Sequence, residues 1–89
     1  MNLADKKLFK IFQFSLKLNK NVNLKDIRRI AQKKWDSLAH VNIIIAIENE
    51  FNIKISSSDA ENINSFKGAI LLIKDKSKKR QWKQKHNLR

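Results

Sequence analysis

Between Asp5 and Leu18 the apolar residues Leu8, Phe9, Ile11, Phe12 and Leu16 recur at intervals of three and four, a spacing that predicts a helix with one apolar stripe. Asn19, Asn21 and Asn23 follow and favour turns, because the asparagine side chain competes for backbone hydrogen bonds. From Val22 to Trp35 the apolar positions Val22, Leu24, Ile27 and Ile30 predict a long connector pinned across the end of a bundle, with partial helix from Leu24 to Ala31. Asp36 is a good N-cap for a second helix running to Phe51, and Asn52 can close it in the left-handed conformation. In that helix Leu38, Val41 and Ile45 lie along one side, and Ile43, Ile44, Ala46 and Ile47 widen the stripe, so it both faces a core and offers apolar surface outward. Ile53-Lys54-Ile55 alternates like a short extended linker. Ser58 with Glu61 reads as a capping box opening a short helix to Ile63. Ser65 can cap a closing helix in which Phe66, Ala69, Ile70 and Ile73 repeat at three and four.

These elements predict an all-α chain. Its 89 residues, with one glycine and no proline, are enough for one small core and too few for two. The expected division is a helical domain over residues 1–74 and a basic tail over residues 75–89, flexible or a helix extension. With no cysteine, the chain has neither a disulfide framework nor a thiol of its own. The longest apolar run, Ile43 to Ile47, is far short of the roughly 18 residues that span a bilayer. The start shows no cleavable signal pattern, since Lys10, Gln13 and Lys17 interrupt the apolar stretch there. A cytoplasmic, monomeric protein without a membrane span is expected.

Charge alters this picture. The net charge is +12, distributed unevenly: residues 1–35 carry ten basic and two acidic groups, residues 36–61 one basic and five acidic, and residues 74–89 eight basic and one acidic. Lysine, isoleucine and asparagine together are also what a nucleotide-biased genome would favour, so the surplus alone assigns no function.

The candidate chemistry lies at Ser37. A serine in the first turn of a helix has an exposed hydroxyl, and a phosphodiester built on it would meet backbone N–H groups that have no helical partner. The surrounding residues resemble the attachment segment of acyl carrier proteins over Trp35 to Ile73. The resemblance is carried by Asp36-Ser37-Leu38, by Ala46 with Glu48, Glu50 and Phe51, by Ile53-Lys54-Ile55, and by Asp59-Ala60-Glu61 followed by Ile63. It implies a small bundle of three main helices and one short helix with a long first connector. It also implies a protein that makes no bonds itself. A phosphopantetheinyl transferase would move 4'-phosphopantetheine from coenzyme A to Ser37, and an acyl or aminoacyl group would ride on it as a thioester. Asp36 and Leu38 would flank the cofactor, Asp36 also helping the transferase arrange its metal and nucleophile. Val41, Ile45, Glu48, Glu50, Asp59 and Glu61 would be read by acyl-loading and acyl-accepting enzymes. Val41, Ile45, Ile55, Ala60 and Ile63 would lie near any sheltered acyl chain, although plain core packing would explain them equally.

The chain departs from that pattern at Ala39 and Asn42, positions that are often acidic in fatty-acid carriers, and Lys33 and Lys34 precede the motif. A dedicated carrier for a specialised pathway is the expectation that follows. His40, one turn from Ser37, has no orienting third group and reads as a surface residue rather than a base. Trp35 reads as an anchor for the connector. His40 and His86 stand alone, without metal-ligand spacing. Two other readings stand beside the carrier: a basic module binding nucleic acid or an anionic surface through Lys74 to Arg89, with Lys78-Lys79-Arg80 and Trp82, and a carrier-fold interaction module without cofactor.

Overall fold

A computed structural model describes the backbone of residues 2–87 and the side chains of residues 2–76. The first helix, α1 (Leu3–Leu16), starts and stops two residues sooner than its stripe predicts. Asn2 caps the start, its Oδ1 accepting from the Asp5 N–H at 2.8 Å. At the other end Lys17 adopts the left-handed conformation, and the N–H groups of both Lys17 and Leu18 return to the Gln13 carbonyl. The asparagines therefore do not end the helix; they shape the turn that follows. Leu8, Phe12 and Leu16 are buried, with Phe9 and Ile11 half-buried beside them, so the apolar stripe is the one the spacing predicts.

The connector is less helical than expected. A 3-10 turn over Leu24–Asp26, capped by the Asn23 side chain, takes the place of helix to Ala31. The cause is pairing at a distance: the Ile27 carbonyl accepts from the Phe66 N–H at 2.9 Å, the Asn64 carbonyl accepts from the Arg29 N–H at 2.8 Å, and Arg28 forms an antiparallel bridge with Ser65. With the Ile27 carbonyl and the Arg29 N–H committed to another segment, the connector cannot run on as one helix, and only an isolated turn follows, the Arg28 carbonyl accepting from the Ala31 and Gln32 N–H groups at 3.0 Å. Of the four expected pins, Ile27 is fully buried and Val22 half-buried, whereas Leu24 is 37% exposed and Ile30 91%. Trp35, 3% exposed, does the anchoring that Ile30 was expected to share.

Helix α2 (Ser37–Phe51) has the predicted bounds, with Asp36 as N-cap and Asn52 closing it at φ 52° and ψ 51°. It packs mainly on α1. The linker alternates as its sequence does, Ile53 buried, Lys54 exposed and Ile55 half-buried. Helix α3 (Ser57–Glu61) is capped by Ser56, whose Oγ accepts from the Asp59 N–H at 3.1 Å, and not by Ser58. Two adjacent serines precede Ser58, and the earlier cap lets the helix finish at Glu61 so that Ile63 can turn into the core. Helix α4 (Phe66–Asn87) begins where Ser65 accepts from the Gly68 N–H at 2.9 Å, and its backbone stays helical past residues 74–75.

The bundle closes around aromatic edges. Phe12 meets Trp35 at a centroid separation of 5.2 Å and Phe66 at 5.7 Å, and Phe9 meets Phe66 at 6.1 Å, all at steep angles that set positive ring edges against negative faces. Phe12 thereby joins α1, the connector and α4. Among the described residues no polar side-chain atom is buried without a partner. The architecture is all-α: three main helices and one short helix, with a long first connector and no strand among the described residues.

Candidate functional site at the start of helix α2

Asp36 organises the site through its backbone and its side chain. Its extended backbone stops the connector, its carbonyl accepts from the His40 N–H at 2.9 Å, and its Oδ1 accepts from the Ala39 N–H at 2.8 Å. The amides of Ser37 and Leu38 have no intrahelical acceptor at this end. Ser37 is the first helical residue and is exposed. Its hydroxyl thus stands at the positive end of a 15-residue helix, with solvent access and free amides beside it.

The wall behind the site is built from Trp35 and His40. The Trp35 Nε1–H donates to His40 Nδ1 at 2.9 Å, and His40 Nε2 lies 2.8 Å from the Ala60 carbonyl. An indole nitrogen only donates, so Nδ1 is the acceptor, the proton sits on Nε2, and Nε2–H donates to Ala60. The ring is half-buried and stacked beside the indole at 6.0 Å. His40 is accordingly a structural tie between the connector, α2 and α3, not the surface residue its sequence context suggests. Both of its nitrogens are occupied, which leaves neither free to take a proton from Ser37.

At 100° per residue, Leu38, Val41 and Ile45 share a side of α2 with Ser37, and they are 70%, 51% and 49% exposed. Ala39, Ile43 and Ile47 form the buried side. The candidate acyl-sheltering residues occupy different environments: Val41 and Ile45 face solvent, Ile55 and Ala60 are half-buried, and Ile63 belongs to the core.

The candidate acidic contacts are also divided. Glu48 turns inward, its Oε2 accepting from the Ile55 N–H at 2.8 Å and tying the linker to α2. Glu50 lies 3.8 Å from Lys7 of α1, and Asp59 pairs with Lys76 of α4 at 2.9 Å. Glu61 is exposed. The acidic stretch therefore braces the fold as well as facing outward. The Glu48 and His40 ties went unrecognised in the sequence, because Ile55, Trp35 and Ala60 all lie outside α2 and no helix or strand spacing brings them to it. Among the described residues no cluster of three or more His, Cys, Asp or Glu is placed to hold a metal ion, and no helix is long and apolar enough to cross a membrane. Lys78-Lys79-Arg80 and Trp82 lie outside the residues whose side chains are described.

No family model matches the chain. Individual relatives do. An acyl carrier protein of Buchnera aphidicola subsp. Schizaphis graminum is 38% identical over 79 residues, which is 89% of this chain and 100% of the relative. The chain belongs to the acyl carrier protein family. An acyl carrier protein of Cyanidium caldarium is 39% identical over 71 residues, covering 80% of this chain and 83% of the relative. One of Buchnera aphidicola subsp. Baizongia pistaciae is 34% identical, covering 83% of this chain and 95% of the relative. Acyl carrier proteins are carriers and not enzymes.

Proposed function

We propose that this acyl carrier protein bears 4'-phosphopantetheine on Ser37 and carries acyl or aminoacyl groups on it as thioesters. The observation supporting this most directly is the exposed Ser37 hydroxyl at the capped start of α2. The residues fit the group: the Ser37 and Leu38 amides and the positive helix end favour a phosphodiester, and Asp36, committed to the Ala39 N–H, holds that end open. When bound, the cofactor supplies the thiol that this cysteine-free chain lacks. The chain's own residues present it. Asp36 fixes the helix start, Leu38 and Val41 offer apolar grip to a phosphopantetheinyl transferase, and Ile45 extends that surface toward acyl-loading and acyl-accepting enzymes.

A restricted, specialised partner set is part of the proposal. Ala39 is buried and Asn42 is neutral, Glu48 is spent on the linker, and Glu50 and Asp59 sit beside lysines. Apart from the exposed Glu61, the acids of α2 and α3 are thus tied to the fold or set beside lysines, which reduces their pull on a strongly basic partner. Incubation with coenzyme A and a broad-specificity phosphopantetheinyl transferase, followed by intact and peptide mass measurement, tests the attachment. One phosphopantetheine on the Ser37 peptide, absent in Ser37→Ala, is expected; an unmodified protein under conditions that load an ordinary carrier would refute it. Efficient support of general fatty-acid synthesis would refute the specialised role alone.

A further inference from the structure

Helix α1 buries Leu8, Phe12 and Leu16, and its opposite face is turned to solvent. At 100° per residue Leu3, Lys7, Lys10 and Phe14 fall within an arc of roughly 60°, centred opposite the buried stripe. Leu3 is 69% exposed and Phe14 85%. Lys6 flanks this arc, and Lys17 stands at the cap just beyond Phe14. The helix's one acid, Asp5, points the other way, into a cleft of about 260 Å³ against α4 with Leu8, Ile70 and Ile73. Lys7 lies 3.8 Å from Glu50, but both side chains are nearly half exposed, so this pair is weak and easily exchanged.

The exposed arc therefore has an apolar side chain near each end, roughly 16 Å apart along a rigid helix, with lysines between and beside them and no acid. A flat anionic surface matches that order: lysines meet phosphates while Leu and Phe enter the boundary between headgroups and acyl chains. Nucleic acid would use the lysines and could stack on Phe14, but it has no use for Leu3. The ten basic and two acidic groups of residues 1–35 add long-range attraction of the same sign. We infer that the outward face of α1 docks on anionic phospholipid membranes, with Leu3 and Phe14 entering the interface and Lys6, Lys7, Lys10 and Lys17 meeting lipid phosphates.

Docking does not depend on Ser37, so the test uses the full chain bearing Ser37→Ala. Co-sedimentation is measured with phosphatidylcholine vesicles and with vesicles containing about a third phosphatidylglycerol. Binding to the anionic vesicles alone is expected, weakening as salt is raised. Leu3→Gln with Phe14→Gln should weaken it about tenfold or more, and replacing Lys6, Lys7 and Lys10 by Gln should weaken it roughly fivefold per lysine. Circular dichroism checks that these exposed substitutions leave the fold intact, as is expected of them. Three outcomes overturn the inference: no binding, binding unchanged by both α1 variants, or tighter binding to a single-stranded oligonucleotide than to the anionic vesicles.

Discussion

At His40 a side chain one turn from the candidate attachment serine is held by two hydrogen bonds of opposite sense, accepting from Trp35 and donating to Ala60. Trp35 is 3% exposed, so removing its acceptor strands an indole N–H with little access to water. His40→Ala is expected to destabilise the fold by about 1–3 kcal/mol, the usual penalty for a buried donor left unpaired. His40→Phe keeps most of the ring volume and neither nitrogen, so it separates the polar part of that loss from the packing part. Urea unfolding followed by circular dichroism measures both. Phosphopantetheine loading of the folded fraction should be unchanged in each, because neither nitrogen is available to Ser37. A loading defect in folded His40→Phe would instead assign His40 a part in presenting the serine.

Among the elements, helix ends and the α2–α3 linker are held by single side-chain contacts. Asp36→Ala removes the acceptor for the Ala39 N–H and should cost about 1 kcal/mol, with fraying of the first turn of α2. Glu48→Ala frees the Ile55 N–H, and faster hydrogen exchange at the Ile55 amide, with α2 amides little changed, is the expected signature. Equal protection in the variant would show that Ile53 burial alone fixes the linker. These two contacts also mark what was legible in the chain. The Asp36 cap, the Asn52 closure and the stripes of α1 and α4 could be read because each follows a local rule of spacing or capping. So could the position of Ser37 on α2. The connector could not: residues 27–29 pair with residues 64–66, and nothing within the connector encodes a partner so distant. The same gap explains Ile30, an apolar residue whose exposure follows from where that pairing turns the chain. It also explains Glu48, which looks like an acidic surface contact until Ile55 is brought back beside it.

For the molecule as a whole, stability is set by a small aromatic core working against a large like-sign charge. Phe12 touches both Trp35 and Phe66 and is fully buried, so Phe12→Ala should cost about 3–5 kcal/mol, a large share of the 5–15 kcal/mol typical of a domain. Against that core stands a net charge of +12 within a radius of gyration of 13.8 Å. At about 0.01 M salt the screening length is roughly 30 Å, longer than that radius, so lysines across the molecule repel one another; at about 0.15 M it falls to roughly 8 Å. The unfolded chain spreads its charges further apart, so the compact state bears more of the repulsion and gains more from screening. The Lys7–Glu50 and Lys76–Asp59 pairs, both partly exposed, weaken as well, but each is worth little at the surface and their loss is small beside the relief of repulsion. Sodium chloride raised between these two concentrations should therefore increase the melting temperature. A gain of about 1 kcal/mol would appear as roughly 4–8 °C for a domain this size. Replacing Lys6, Lys7 and Lys10 by Gln should reduce that increment, because it lowers the charge without touching the buried face of α1. A melting temperature that stays level or falls with salt would mean that attraction between the basic amino-terminal third and the acidic stretch of residues 36–61 outweighs the repulsion. In that case the uneven charge distribution, rather than its sum, governs the stability of the bundle.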